Sequence, residues 1–164
     1  MGLLDSTIQY TRNLTFEISP PVLYELGLES ALDWLAERFS KKHKLNIKIQ
    51  KAGSINGLRE DLQVTLFKSA QEILTNAVKH SGADKITIAT TGNDVNVRIE
   101  ITDNGRGFDP STLTADNFTD YKFGLFNIRE RLDYLGGQVS IVTAPDKGTK
   151  ITLLAPRLLI GKDK

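Results

Sequence analysis

From residue 60 to residue 80 the chain contains neither Gly nor Pro, and its apolar residues recur at intervals of three and four. At about 100° per residue, Leu62, Leu66, Ala70, Ile73, Leu74 and Ala77 gather on one side, which predicts an amphipathic helix with that side buried. Glu72, Asn76 and Lys79 gather in a narrow stripe beside it. The spacing i, i+4, i+7 lines up an acid, an amide and a cation along two turns. An ordinary surface helix presents such a stripe too, so its meaning depends on what the rest of the chain sets against it.

The remaining pattern predicts the other elements. Residues 2–18 read as a helix, with Leu4, Ile8, Thr11, Thr15 and Ile18 in a weak coiled-coil-like seam. Ser19-Pro20-Pro21 stops it, because the proline ring blocks continuation. Residues 29–44 form a second helix, with Ala31, Leu32, Leu35, Ala36 and Phe39 as its apolar face and Trp34 nearby. Lys41, Lys42, His43 and Lys44 close it with charge that suits the dipole. Residues 46–50 alternate as a short strand. Residues 85–91 and 95–102 are two strands joined by the hairpin signal Gly92-Asn93-Asp94. Val95, Val97, Ile99 and Ile101 alternate strictly in the second, which runs into Asp103-Asn104-Gly105-Arg106-Gly107-Phe108. Residues 109–122 are polar and aperiodic, as in a lid or a disordered loop. After Phe123-Gly124, Leu125, Ile128, Leu132 and Leu135 mark a fourth predicted helix, with Arg129 and Arg131 on its other side and Gly136-Gly137 as its cap. Residues 138–143 and 149–155 are the last strands.

Hairpins among the strands predict a mixed, largely antiparallel sheet covered on one face by helices, a two-layer α/β (α+β) sandwich. The doubly wound dinucleotide fold is excluded, because Asp103-Asn104-Gly105-Arg106-Gly107 leads into a loop rather than a helix. No Gly-x4-Gly-Lys-Ser/Thr run supports a P-loop.

Composition narrows the chemistry. The 164 residues carry 21 Lys and Arg against 20 Asp and Glu, net +1, which gives no footprint for nucleic acid or a polybasic anchor. Without Cys, thiolate metal sites and cysteine nucleophiles are out, and two histidines, His43 and His80, are too few for a histidine cage. No apolar run approaches the ~20 residues of a membrane helix, and no signal peptide is visible, so the expected setting is cytoplasmic without membrane contact.

What remains is a site for a nucleotide. Gly105 and Gly107 directly after a buried strand let the backbone turn tightly and approach a ligand. Asp103 at the strand end suits an exocyclic amine such as that of adenine. A helix start at Gly124-Leu125 offers backbone N–H groups to phosphate. Asn76 offers an oxygen to Mg²⁺, and Lys79 a charge to phosphates. Singly these signals are weak; Asp-x-Gly-x-Gly occurs in many turns.

Their order is more specific. Glu72-x3-Asn76-x2-Lys79-His80, Asp103-x-Gly105-x-Gly107-Phe108, Phe123-Gly124-Leu125 and Gly148-Thr149 resemble the N, G1, G2 and G3 boxes of the GHKL (HATPase) superfamily of gyrase B, Hsp90, histidine kinases and MutL. Pro20-Pro21-Val22-Leu23-Tyr24-Glu25-Leu26-Gly27-Leu28 and the run from Gly124 to Gly137 resemble the nitrate-sensor (NarX/DegS-like) branch of sensor histidine kinases. The resemblance covers residues 14–156.

It implies a Bergerat-type sheet with an ATP lid, and an ATP- and Mg²⁺-binding domain that transfers the γ-phosphoryl group to a histidine. Glu72 would act as, or help position, the base; Asn76 would ligate Mg²⁺; Lys79 and His80 would flank the phosphates. Asp103 would take the adenine amine, Gly105 and Gly107 would shape the adenine pocket, and Phe123, Gly124 and Leu125 would anchor the lid. Thr149 would reach adenine through water. Phe123 stands where many relatives carry a second Gly.

No phosphoacceptor histidine stands on an expected dimerisation helix. Residues 1–20 are therefore expected to be the end of such a helix and a linker, 21–156 the catalytic domain and 157–164 a tail. The implied partners are ATP, the dimerisation and phosphoacceptor domain of the same kinase, and a response regulator. A protein-serine kinase of the anti-sigma-factor type and a nucleotide-binding pseudo-enzyme are the alternatives.

Overall fold

The computed structural model describes residues 21–113 and 120–157. The helix expected at 2–18, the middle of the expected lid and the tail lie outside the described residues. Helix α1 spans Pro21–His43, α2 Glu60–Asn76 and α3 Asp120–Tyr134. The strands are β1 Asn46–Ala52, β2 Lys85–Gly92, β3 Asn96–Asp103, β4 Gln138–Thr143 and β5 Thr149–Pro156. They form one sheet in the order β1-β2-β3-β5-β4. Only β1 and β2, joined by the α2 crossover, pair in parallel; the other pairs are antiparallel. The expected sandwich with a mixed, largely antiparallel sheet is what forms.

The core follows from the two periodicities. Ile86 and Ile88, Val97, Ile99 and Ile101, and Ile151, Leu153 and Ala155 alternate onto one face of the central strands and are buried. The six apolar positions expected on the 60–80 helix are buried with them. Lys85, Arg98 and Lys150 fall on the opposite phase and are exposed. Each buried residue adds roughly 1.5–3 kcal/mol of apolar transfer, so this single face carries most of the driving force.

The same phase places polar residues where the apolar runs stop. Asp103 continues Val97, Ile99 and Ile101, and Thr149 precedes Ile151 and Leu153, so both point to the buried side at one end of the sheet. They are register partners. On α2, Asn76 is the buried polar residue among Ile73, Leu74 and Ala77.

At the opposite end the sequence stretch 54–58 ties three parts together. Helix α1 is broken at Gly27 (φ 82°, ψ 179°), a backbone open essentially only to glycine. The break exposes the amide of Glu29, which donates to Asn56 Oδ1 at 3.2 Å. In return Glu29 Oε1 accepts from Ser54 Oγ and the Ile55 amide, both at 2.8 Å. Arg157 donates from Nη1 to Asn56 O at 3.0 Å and from Nη2 to Ser54 O.

Three boundaries depart from expectation. Helix α1 begins at Pro21 rather than residue 29, because the Gly27 break lets a short helical segment precede the longer one. After Asn76 the helix widens into a π-helical turn, Ala77–Ser81, before left-handed Gly82 ends it. Helix α3 begins at Asp120, inside the segment expected to be loop, which also holds a short 3₁₀ turn at Pro110–Leu113.

Candidate functional site

The end of the sheet that carries Asp103 is where the four motif segments meet. Asp103 is 9% exposed and its Oδ1 accepts the Gly105 amide at 2.8 Å. Burial pushes its carboxyl above the usual aspartate range, while the backbone amides of Gly105 and Thr149 pull it part of the way back. Its partner Thr149 is buried, with its hydroxyl 3.2 Å from that of Thr143. Thr143 Oγ1 also donates to Gly148 O at 3.0 Å and accepts the Phe108 amide at 3.1 Å. Gly107 lies against the carbonyls of Ala144 and Gly148, and the Asp146 amide donates to Arg106 O at 2.6 Å. The segments around Asp103 and around Thr149 thus make one continuous wall.

Helix α2 makes the second wall. Asn76 is 5% exposed, and its Nδ2 has no hydrogen-bond partner. A buried amide left this way is costly unless something else completes it. Glu72 is half-buried one turn earlier, and Lys79 is exposed. The straight stripe expected for these residues assumes 3.6 residues per turn; the wider turn after Asn76 rotates Lys79 and His80 off that line. His80 is half-buried.

Gly124 joins the third segment to the second. A Cβ placed there would strike Glu72 Oε1 and come within 3.3 Å of Asn76 Nδ2, so α3 seats directly on these two side chains. Since α3 starts at Asp120, the amides of Gly124 and Leu125 lie inside the helix. The expectation that they offer unpaired N–H groups is therefore corrected; such donors belong to the first turn. Leu125 is a core residue, and Phe123 is 58% exposed beside it. Arg129 and Arg131 are exposed, and Arg131 Nε donates to Asn127 O at 3.1 Å.

The structure thus brings Glu72, Asn76 and Gly124 together, and Asp103, Gly105, Gly107 and Thr149 together. Sequence reasoning gave no role to Asn104, Thr143 or Ser81. Asn104 Oδ1 accepts the amides of Asp84 and Lys85 at 3.2 and 3.0 Å, and its Nδ2 donates to Asp84 Oδ1 at 2.7 Å, which pins the start of the glycine loop. An Asn between Asp103 and Gly105 is a turn-former, and that signal was available. Nothing local marks Thr143, whose contacts span the hairpin and the loop.

Residues 61–159 match the family model described as histidine kinase-, DNA gyrase B-, and HSP90-like ATPase. The chain is 29% identical over 155 residues to the sensor histidine kinase MctS of Rhizobium johnstonii, covering 94% of this chain and 33% of that protein. It is 28% identical to the oxygen sensor histidine kinase NreB of Staphylococcus carnosus, covering 94% of this chain and 44% of that protein. With the sensor histidine kinase ComP of Bacillus subtilis the identity is 32%, over 90% of this chain and 19% of that protein. The chain therefore spans less than half the length of these relatives. The fold resembles the histidine kinase domain of the blue-light activated histidine kinase of Erythrobacter litoralis EL346, with a TM-score of 0.65 at 16% identity, over 79% of this chain and 61% of that one.

Proposed function

The chain belongs to the histidine kinase-, DNA gyrase B-, and HSP90-like ATPase family, and on that premise we propose that it is the ATP-binding catalytic domain of a two-component sensor histidine kinase. It would transfer the γ-phosphoryl of ATP to a histidine on a dimerisation and phosphoacceptor domain, from which a response regulator would take it. The observation that carries this reading is the buried carboxylate of Asp103, only partly offset by backbone amides, together with the orphaned side-chain amide of Asn76. A ligand with a base at one end and phosphates at the other would complete both groups. The relatives named above are sensor histidine kinases, which favours this reading over a protein-serine kinase.

In this reading Asp103 accepts the exocyclic amine of adenine, a donor that guanine lacks at that position. The Gly105 amide holds Asp103 Oδ1. Thr149 sits beside Asp103 to complete adenine recognition through water. Asn76 would hold Mg²⁺ through its amide oxygen, with the Glu72 carboxylate beside it where Gly124 packs on both side chains. When bound, the metal would neutralise charge on the β- and γ-phosphates. Glu72 would also take or orient the proton of the attacking group, and Lys79 would offer charge to the phosphates. Residues 21–156 would be the catalytic domain, following the end of a dimerisation helix and a linker, in the cytoplasm. No helix among the described residues is long and apolar enough to cross a membrane.

The test is ATP titration of the parent, Asp103→Asn and Asn76→Asp, each with and without Mg²⁺. The Asp103 variant is expected to bind ATP at least about tenfold more weakly in both conditions, and the Asn76 variant to lose chiefly the Mg²⁺-dependent part. An Asp103→Asn protein that binds ATP as tightly as the parent would refute the pocket.

A further inference from the structure

Between the two walls stands Ser81, to which neither the motifs nor the proposed reaction assigns anything. It is the last residue of the π-helical turn. Its hydroxyl donates to Ala77 O at 2.7 Å and accepts the Ala83 amide at 3.0 Å. The first bond supplies a donor to a carbonyl at the helix end, where intrahelical donors run out. The second fixes the chain just beyond Gly82. The carbonyl of Ser81 accepts the Arg106 amide at 2.8 Å, so the glycine loop hangs from the turn. Gly105 rests on Ser81 with no space between: a Cβ on Gly105 would lie 2.5 Å from Ser81 Cβ and O and 2.8 Å from its Oγ. Gly105 is the residue whose amide holds Asp103 Oδ1.

We propose that Ser81 is a positioning residue: it locks the widened turn after Asn76, seats Gly105 on it, and through the Gly105 amide aims the Asp103 carboxylate at the adenine amine. The inference rests on the ATP-pocket reading and deepens it, by making one hydroxyl the link between the metal wall and the adenine wall. Without the hydroxyl, Ala77 O loses this donor and the Ala83 amide loses this acceptor. The turn then relaxes towards ordinary helix, and the seat of Gly105 moves with it.

The experiment compares ATP with ITP, which carries a carbonyl where ATP carries the amine. The ratio of the two affinities reads the Asp103 contact, and an unfolded share of the preparation cancels from it. The parent, Ser81→Ala, Ser81→Thr, Asp103→Asn and the Ser81→Ala/Asp103→Asn double variant are titrated with both nucleotides. Ser81→Ala is expected to lower the ATP/ITP ratio about tenfold, the weight of one well-aimed hydrogen bond to a charged group. Ser81→Thr keeps the hydroxyl and is expected to keep the ratio within about twofold. In the Asp103→Asn background Ser81→Ala is expected to leave the ratio where Asp103→Asn alone puts it, since coupled residues are not additive. If Asp103→Asn does not change the ratio, the adenine assignment falls and this proposal with it. If Asp103→Asn abolishes the preference while Ser81→Ala retains it, or Ser81→Thr drops as far as Ser81→Ala, this proposal alone is overturned.

Discussion

The two ends of the sheet hold carboxylates in opposite conditions. At the end where α1 breaks, burial works to raise the Glu29 carboxyl. The Ile55 amide, the Ser54 hydroxyl and the charge of Lys51 outweigh it and hold the group below the ordinary glutamate range. At the other end burial dominates, and Asp103 sits above the ordinary aspartate range with only backbone amides to offset it. At the first end the carboxylate and the broken helix are fully engaged, although Arg157 Nε and, further along β2, Thr90 Oγ1 have no partner among the described residues. At the second the side-chain amide of Asn76 has no partner among the described residues, and the buried carboxylate of Asp103 has only backbone amides. A fold that satisfies its polar groups at one end and withholds partners at the other separates stability from binding.

The sharpest way to break that contrast is Asp103→Asn. ATP affinity is expected to fall at least about tenfold, the loss of a charged hydrogen bond. The unfolding midpoint at neutral pH is expected to rise, because ionising Asp103 costs more in the folded state than in the unfolded one. The sign fixes the window: a raised folded pKa penalises the native state above the ordinary aspartate range. The gain of the variant should therefore vanish as pH is brought below that range. Calorimetric melts of both proteins across acid pH would show it, and a destabilised variant at pH 7 would contradict it.

Next in size, Asn56→Ala removes the acceptor for the Glu29 amide at the far end and should cost about 1 kcal/mol, a lost helix cap. Urea unfolding should record this while ATP affinity stays at the parent value. Glu29→Gln should cost about as much at neutral pH, since hydrogen bonds to a charged group are worth ~1.5–3 kcal/mol and the amide keeps part of them. Here the folded pKa is depressed, so the contribution of the carboxylate is present above the ordinary glutamate range and is lost as pH falls through the depressed value. The Glu29→Gln penalty should shrink over that acid window, the reverse of Asp103. The smallest effect belongs to the open face of the sheet, where Glu100 bridges Arg98 and Lys150 at 2.7 and 3.1 Å. Glu100→Gln should shift stability by about 0.5 kcal/mol and leave the contrast between the ends untouched.

How much of this was readable in the sequence depends on the kind of signal. The apolar phases of α2 and β3 were legible, and the buried positions of Leu62 to Ala77 and Val97 to Ile101 follow from them. The family was legible through four ordered short motifs, and the family model bears it out. The start of α3 was not, because residues 120–123 carry no apolar period and helix propensity alone is a weak guide. The π turn was not either: nothing in Ala77-Val78-Lys79-His80-Ser81 distinguishes it from ordinary helix until the Ser81 contacts to Gly105 and Arg106 are known. Those contacts, like those between Gly124 and Glu72, join residues far apart in sequence, where local patterns carry no information.

The connection between Asp103 and Asp120 leaves and re-enters the fold at anchored points. Gly105 is seated on Ser81, Gly107 on the Ala144 and Gly148 carbonyls, and Gly124 on Glu72. With those seats fixed, a change of loop length between them is expected to cost the sheet little: doubling a loop costs only about 0.6 kcal/mol in closure entropy. Evolution can therefore lengthen, shorten or rewrite this excursion almost at will while the sheet keeps its register.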